Sequence, residues 1–239
     1  LIECGAQATG GLWSNADAST NLADVGYPIA DVAADGSFVL TKPENTGGAV
    51  NFETVAEQLL YEVADPARYF TPDVVADFTA PTLAETGPDA VTVTGCRGNP
   101  ATDSYKVSIA YRDGWAASGT LTICGIRAAE KARLSGQILL ERLARIGCTP
   151  AHSLVEVLGT GACVPGVLPE PAEGLEAVMR VAIRDPRKWV VERFSKEFAP
   201  LVTSGFPGTT GYTTGRPQVR EVFAYWPALV AKSAVDPRA

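Results

Sequence analysis

The feature that most constrains the fold of this chain is a long amphipathic segment at residues 128–146. Apolar side chains recur there at helical spacing, at Leu139, Leu140, Leu143 and Ile146. Gly147 and Pro150 then end the pattern, as is typical just beyond the end of a helix. The segment therefore predicts a helix with one apolar face, and that face must be buried against another layer of the fold.

Alternating apolar and polar residues predict strands on both sides of this helix. Before it, Asp113-Gly114 lies between two alternating segments, at residues 104–107 and 120–124, which predicts a hairpin. After it, the patterns predict strands at residues 154–158, 176–183 and 219–230, and a second helix at residues 186–199. This order indicates an α/β or α+β fold, in which helices pack on one face of a mixed or largely antiparallel sheet.

The first hundred residues carry weaker patterns of the same two kinds. Asn51 is placed to cap a helix at residues 53–63, and Pro66 follows its end. Strands are predicted at residues 37–41, 74–78 and 91–95. A length of 239 residues fits one large domain or two small ones, and we place any subdivision near residue 100.

Charge and composition argue against several classes of protein. The net charge of −7 and a sequence pI of about 4.8 argue against a nucleic-acid partner, since phosphate binding needs clustered lysine and arginine. The sequence contains no run of about eighteen apolar residues, so a membrane span is not expected. The 5 cysteines lack paired spacing, which predicts a reducing, cytoplasmic location. With His152 as the single histidine, neither a zinc cluster nor a histidine-dependent triad is expected.

The opening residues combine reactive side chains with glycines, which indicates a loop around a site. The carboxylate of Glu3 and the thiol of Cys4 come immediately before a glycine-rich stretch. Glycine allows positive φ and close backbone approach, so the N–H groups can face an anion or a carbonyl oxygen. The candidate binding residues of this loop are Gly5, Gln7, Thr9, Gly10 and Gly11. Their spacing matches neither of the common phosphate-binding glycine motifs, and a structural turn is an equal alternative.

A second glycine turn repeats the Thr-Gly-Gly of the first. Its candidate binding residues are Lys42, Thr46, Gly47 and Gly48. The two turns either face each other across a pocket or are two separate tight turns. An ammonium beside exposed backbone amides would attract a carboxylate or phosphate. Arg216, in a threonine-rich segment at residues 203–217, is a further candidate for binding a carboxylate, with an ordinary surface ion pair as the alternative.

Several strings of residues, taken together, resemble the acyclic terpene utilisation family. They lie at residues 2–11, 26–30, 35–39, 54–62, 102–107, 200–205, 211–212 and 225–227. Members of that family are longer, so the resemblance implies that residues 1–239 are the later part of the main domain of a longer polypeptide. It also implies a bacterial catabolic role, in the breakdown of branched acyclic terpenoids by way of carboxylic acids and their coenzyme A thioesters. It specifies no cofactor.

The first of two functional hypotheses is an enzyme region that acts on a branched acyl-CoA or carboxylic acid in a hydratase or lyase step. Glu3 would transfer the proton, and amides of the opening loop would stabilise the developing oxyanion. Lys42 or Arg216 would hold the acidic group of this small-molecule partner. Cys4 is a candidate nucleophile, although the neighbouring carboxylate disfavours its thiolate.

The string at residues 102–107 adds further candidates to this hypothesis. Lys106 is a third candidate catalytic residue, and Asp103 and Tyr105 are candidate binding residues. In the second hypothesis the chain is a non-catalytic scaffolding or interface half of a larger enzyme or complex. Either way, we expect a homo-oligomer or a companion subunit.

Overall fold

The computed structural model describes residues 1–2, 5–167, 174–211 and 215–235. The chain divides into two compact units. The first is formed by Leu1–Lys106 together with the residues from Leu229 onward, and the second by Val107–Ala228. Both boundaries fall inside long strands that continue from one unit into the other. The fold is α+β, which is one of the two classes that the sequence patterns predict.

The first unit contains two antiparallel sheets. Its strands are β1 (Ile29–Val32), β2 (Phe38–Thr41), β3 (Tyr69–Phe70), β4 (Val74–Asp77), β5 (Thr82–Gly87), β6 (Ala90–Thr94) and β7 (Arg97–Pro100). The larger sheet has the order β1-β2-β6-β5, and the smaller sheet the order β3-β4-β7. Strands β2, β4 and β6 confirm the predicted ones. The other four were not predicted because they are short or lack an apolar alternation.

A single α-helix, α1 (Phe52–Leu60), belongs to the described part of the first unit. The Asn51 side chain accepts a hydrogen bond from Thr54 N at 2.9 Å, and Thr54 Oγ1 accepts one from Asn51 N at 3.1 Å. This reciprocal capping box satisfies two amides at the helix start and confirms the predicted cap. The helix buries Val55 in a core with Leu40 and Val91.

The second unit is built on one larger sheet with helices packed against it. Its elements are β8 (Ser104–Cys124), α2 (Ala128–Arg145), β9 (His152–Leu158), β10 (Glu176–Asp185), α3 (Lys188–Phe194), α4 (Phe198–Ser204) and β11 (Arg220–Ala231). The strand order is β11-β8-β10-β9. Helix α2 packs on β9 and β10, and it buries Leu139 and Leu143 against Met179 and Val181. The predicted long helix is therefore confirmed, but its predicted apolar face only in part, because Ile146 lies just beyond the helix end and is 49% exposed.

The predicted hairpin at Asp113-Gly114 is wrong, because β8 continues without reversal through both residues. Gly114 does have a positive φ of 85°. A Cβ at this position would lie 2.8 Å from Asp185 O and 3.0 Å from Pro186 Cα. The glycine therefore permits a close approach of the chain after β10, where the sequence pattern suggested a turn.

The predicted helix at residues 186–199 is interrupted, and it is two short helices in the structure. Helix α3 ends at Phe194, and Ser195 Oγ then donates a hydrogen bond to Glu192 O at 2.9 Å. Glu197, only 2% exposed, lies in the break and binds Arg142 at 2.9 Å and Arg193 at 2.6 Å. Trp189, an aromatic residue of α3, is 51% exposed.

Candidate functional site

The structure brings the two glycine turns into direct contact. Thr9 O accepts a hydrogen bond from Ala49 N at 2.9 Å. Gly48 has a φ of 84°, and a Cβ there would lie 2.0 Å from Thr9 O. Gly10 has a φ of 89°, and a Cβ there would lie 2.6 Å from Ala49 N. Both positions therefore require glycine, and we call this paired structure of residues 6–11 and 46–49 the glycine clasp.

Amide groups of the glycine clasp are used within the protein. The N–H of Gly10 donates to Gln7 O at 3.1 Å, and that of Gly11 donates to Ala6 O at 2.8 Å. The N–H of Gly47 donates to Asp24 O at 2.8 Å, and that of Gly48 donates to Thr20 O at 2.7 Å. These four N–H groups hold the loops together, so they do not form an open anion-binding nest.

Lys42 also serves the clasp. Its ammonium donates to Thr46 O at 2.8 Å and lies 3.2 Å from the Asp89 carboxylate. The Lys42 side chain is only 7% exposed. Thr46 Oγ1 in turn donates to Pro43 O at 2.7 Å. The charge of Lys42 is therefore already paired, and it stabilises the second turn.

The clasp fastens the opening loop to helix α1. Gln7 Nε2 donates to Glu57 Oε1 at 3.0 Å, and Thr54 Oγ1 donates to Ala8 O at 3.0 Å. Gln7 is only 5% exposed, and its Oε1 has no hydrogen-bond partner within the described residues. Buried polar groups are almost always satisfied. The opening loop thus presents one polar atom that the described protein groups leave unsatisfied.

Next to this assembly, the first unit contains a cavity of about 430 Å³, which we call the first cavity. Its walls are mostly apolar and come from the opening segment, α1, both sheets and their connections. The apolar lining residues are Leu1, Phe38, Leu59, Val63, Phe78 and Val93. A mostly apolar cavity with a few polar groups is the usual form of a small-molecule site.

The polar lining of the first cavity includes Gln58, Cys96 and Arg97. Gln58 is 7% exposed, and its Oε1 also lacks a hydrogen-bond partner within the described residues. Cys96 and Arg97 are exposed, so they mark the rim. A bound molecule with a hydroxyl donor would satisfy Gln58 Oε1, and an anionic group on that molecule would pair with the Arg97 guanidinium.

Asp77 lies opposite Arg97 in the register of strands β4 and β7. Its carboxylate accepts hydrogen bonds from Thr79 Oγ1 at 2.5 Å and from Thr79 N at 2.9 Å. These bonds, and to a smaller degree the charge of Arg97, lower the pKa of Asp77 below its ordinary value. Asp77 is therefore ionised at neutral pH, while no ion pair within 4.0 Å engages Arg97 among the described residues.

Other predicted site residues lie away from the lining of the first cavity. Tyr105 and Lys106 line a second cavity, also of about 430 Å³ and also in the first unit. The carbonyl of Asp103 accepts a hydrogen bond from Lys232 N at 2.9 Å. Arg216 is exposed in the second unit. Glu3 and Cys4 lie outside the described residues, and Gly5 within them has a φ of 119°.

Comparison with known protein families shows which family the chain belongs to. The model of one family, described as acyclic terpene utilisation family protein AtuA, matches residues 1–239, the whole chain. The chain belongs to this family. Its involvement in acyclic terpene utilisation, which the sequence resemblance implies, follows from that membership. No curated protein and no solved structure matches it.

In this AtuA-family chain, sequence reasoning missed the residues that line the first cavity. Gln58 carried one usable signal, because it falls four residues after Thr54 on the buried side of α1. Cys96 and Arg97 carried none, because they border a short polar strand. The described residues also contain no group of three or more His, Cys, Asp or Glu side chains arranged to hold a metal ion. No helix within the described ranges is long and apolar enough to cross a membrane.

Proposed function

We propose that this chain is a region of a catabolic enzyme that binds a branched acyl-CoA or carboxylic acid, and that the first cavity is the acyl site. The observation that carries the proposal is the unsatisfied Oε1 acceptor of Gln58 on the wall of a mostly apolar cavity. The family's role in acyclic terpene utilisation supplies the substrate class. Branched hydrocarbon chains match the walls, and each buried CH₂ group contributes about 0.8 kcal/mol to binding.

The polar groups of the cavity suit the head of such a molecule. The Nε2–H group of Gln58 offers a hydrogen bond to a carboxyl or thioester oxygen, its unsatisfied Oε1 accepts one from a hydroxyl group, and Arg97 at the rim offers a charge-assisted bond to a carboxylate. An amide donor at this oxygen also stabilises the enolate that forms when a proton leaves the adjacent carbon. This is the charge that develops in a hydratase or lyase step.

Glu3 is the group that we assign to proton transfer in this step. Leu1 lines the first cavity, and Glu3 follows two residues later in the sequence. The glycine clasp holds residues 6–11 against α1, the same helix that supplies Gln58. Glutamate is one of the side chains that commonly transfer a proton in such a step.

A second candidate function is an interface role without catalysis. Strand β11 exposes three large aromatic side chains in the second unit, with Phe223 64%, Tyr225 52% and Trp226 62% exposed. Exposed apolar surface of this kind is typical of contact surfaces between proteins. Under this alternative, the chain would complete a larger assembly, and the first cavity would bind no acyl group.

Binding and turnover together test the proposed acyl site. A saturated, dimethyl-branched octanoate, which cannot be hydrated, serves as the probe in isothermal titration calorimetry. We expect Gln58→Leu to weaken its binding about fivefold and Arg97→Ala about tenfold or more, from the usual values of neutral and charged hydrogen bonds. Gln137→Leu is the matched control, because Gln137 is exposed on α2.

Turnover of a branched unsaturated acyl-CoA by the complete protein tests the role of Glu3. We expect Glu3→Gln to lower kcat by about a hundredfold or more, since general acid–base catalysis contributes that much. Binding of the octanoate should survive the change. If Gln58→Leu binds the octanoate as the unchanged protein does, the first cavity is not the acyl site; unchanged turnover in Glu3→Gln removes the proton-transfer role.

A further inference from the structure

The two cavities of the first unit meet at one strand. Tyr69 lines the first cavity and Phe70 lines the second, and these two residues make up the whole of β3. Consecutive side chains of a strand point to opposite faces. Strand β3 is also an edge strand of its sheet, in the order β3-β4-β7. A long, flexible ligand that occupied both cavities would therefore pass around this edge.

The second cavity is lined by Phe70, Tyr105 and Lys106, and a further cation lies against each of the two rings. Lys232 Nζ lies 5.1 Å from the centre of the Tyr105 ring and donates to Pro72 O at 2.5 Å. The guanidinium of Arg68 lies 5.4 Å from the centre of the Phe70 ring. Aromatic rings stack with the flat faces of nucleic-acid bases, and cations beside them attract phosphate.

Lys106 is the cation of this cavity with the most freedom to bind a ligand. It is exposed, and within the described residues its ammonium has no ion pair, hydrogen bond or ring contact. Ser104 Oγ, on the same wall, likewise has no hydrogen-bond partner there. An ammonium beside a free hydroxyl offers two kinds of donor to a phosphate group.

Two carboxylates near the second cavity set a limit on its positive charge. Asp73 accepts a hydrogen bond from Thr71 Oγ1 at 3.0 Å, and Asp103 precedes Ser104 in the chain. Of the nearby cations, Lys106 lines the cavity, whereas Arg68 and Lys232 lie against the rings of Phe70 and Tyr105. Because charges of both signs lie near the cavity, an anion that also stacks an aromatic ring is favoured over an anion that binds by charge alone.

We infer that the second cavity binds the phosphorylated adenine nucleotide of coenzyme A, so that the substrate is a coenzyme A thioester and not the free acid. This inference rests on the proposed acyl site, because it assigns the other end of the same ligand. The acyl group lies in the first cavity, the nucleotide lies in the second, and the flexible arm between them passes the edge of β3. Lys106 then acts as a nucleotide-binding residue.

Coenzyme A and pantetheine, which lacks the nucleotide, are the probes that test this inference, in calorimetric titrations of the complete protein. We expect coenzyme A to bind about tenfold more tightly than pantetheine, and Lys106→Ala to remove about tenfold of its affinity, as the loss of one charge-assisted hydrogen bond does. Lys106→Arg should retain most of the affinity. Lys196→Ala is the control, because this exposed lysine lines neither cavity.

Equal affinities for coenzyme A and pantetheine would overturn the inference, and so would a Lys106→Ala variant that binds coenzyme A normally. The branched octanoate separates this outcome from failure of the acyl site. If the octanoate binds through Gln58 while coenzyme A does not bind, the acyl site stands and the nucleotide site fails. If coenzyme A binds through Lys106 while the octanoate does not bind, the nucleotide site stands and the acyl site fails.

Discussion

Gly48 is the residue on which the contact between the two glycine turns most depends. Its φ of 84° and the 2.0 Å between an ideal Cβ at this position and Thr9 O leave no room for a side chain. Gly36 has nearly the same φ, 85°, but a Cβ there meets nothing within 4 Å. The two glycines thus share the backbone conformation and differ in the space around it.

This difference gives a matched prediction. Gly36→Ala should lower the free energy of unfolding by about 1 kcal/mol, the cost of a left-handed backbone in an L-residue. Gly48→Ala should lower it by about 1–3 kcal/mol more, because the clasp must open to admit the methyl group. Urea unfolding followed by circular dichroism measures both. Equal losses of unfolding free energy in the two variants would mean that the glycine clasp opens at little cost in free energy.

At the scale of secondary-structure elements, Asp185 joins three of them at the end of β10. Its fully buried carboxylate accepts hydrogen bonds from Ala151 N, just before β9, at 2.9 Å, and from Arg187 N, just before α3, at 2.8 Å. The Arg187 guanidinium binds the same carboxylate at 2.8 Å. The hydrogen bond from this guanidinium is the largest of the causes that lower the pKa of Asp185 to about 2.

The lowered pKa predicts a pH dependence with a definite sign. Stability from the ionised Asp185 is fully present above the ordinary pKa of 3.8, and it is lost as the pH falls from there toward about 2. Asp185→Asn should therefore lower the free energy of unfolding at pH 7 by about 2 kcal/mol, the usual value of hydrogen bonds to a charged group. The difference from the unchanged protein should shrink below about pH 4.

Urea unfolding at several pH values checks this prediction. Asp35→Asn is the control, because Asp35 is exposed and its pKa is lowered mainly by hydrogen bonds from the nearby Ser37. Its effect on stability should be much smaller than that of Asp185→Asn. A difference between Asp185→Asn and the unchanged protein that stays constant down to pH 2 would contradict the assigned role of the Asp185 charge.

The secondary-structure elements also show which structural features can and cannot be predicted from the sequence. Helices α1 and α2 and the longer strands were predictable, because their apolar periodicity and caps are local properties. The continuous β8 was not, because Gly114 makes room for a residue 71 positions away, Asp185. The first cavity could not be predicted from the sequence either, because Gln58, Asp77 and Arg97 come together only through tertiary packing.

At the scale of the whole molecule, charge and exposed apolar surface act against each other. The chain carries 27 acidic and 20 basic side chains, so its net charge at pH 7 is −7, and this repulsion keeps copies apart. The exposed side chains of Phe223 and Trp226 on β11 favour association. Near the sequence pI of about 4.8 the net charge vanishes, and the apolar attraction is then unopposed.

We therefore expect light scattering from the protein to rise steeply as the pH is lowered from 7 to about 5. The double variant Phe223→Ser, Trp226→Ser should scatter much less near pH 5 and should not differ at pH 7, since both substitutions are at exposed positions and change no charge. Added salt at pH 7 should raise scattering in the unchanged protein, because it screens the repulsion. Equal scattering of the two proteins at pH 5 would show that the β11 aromatic side chains do not drive association, which would then depend on loss of charge alone.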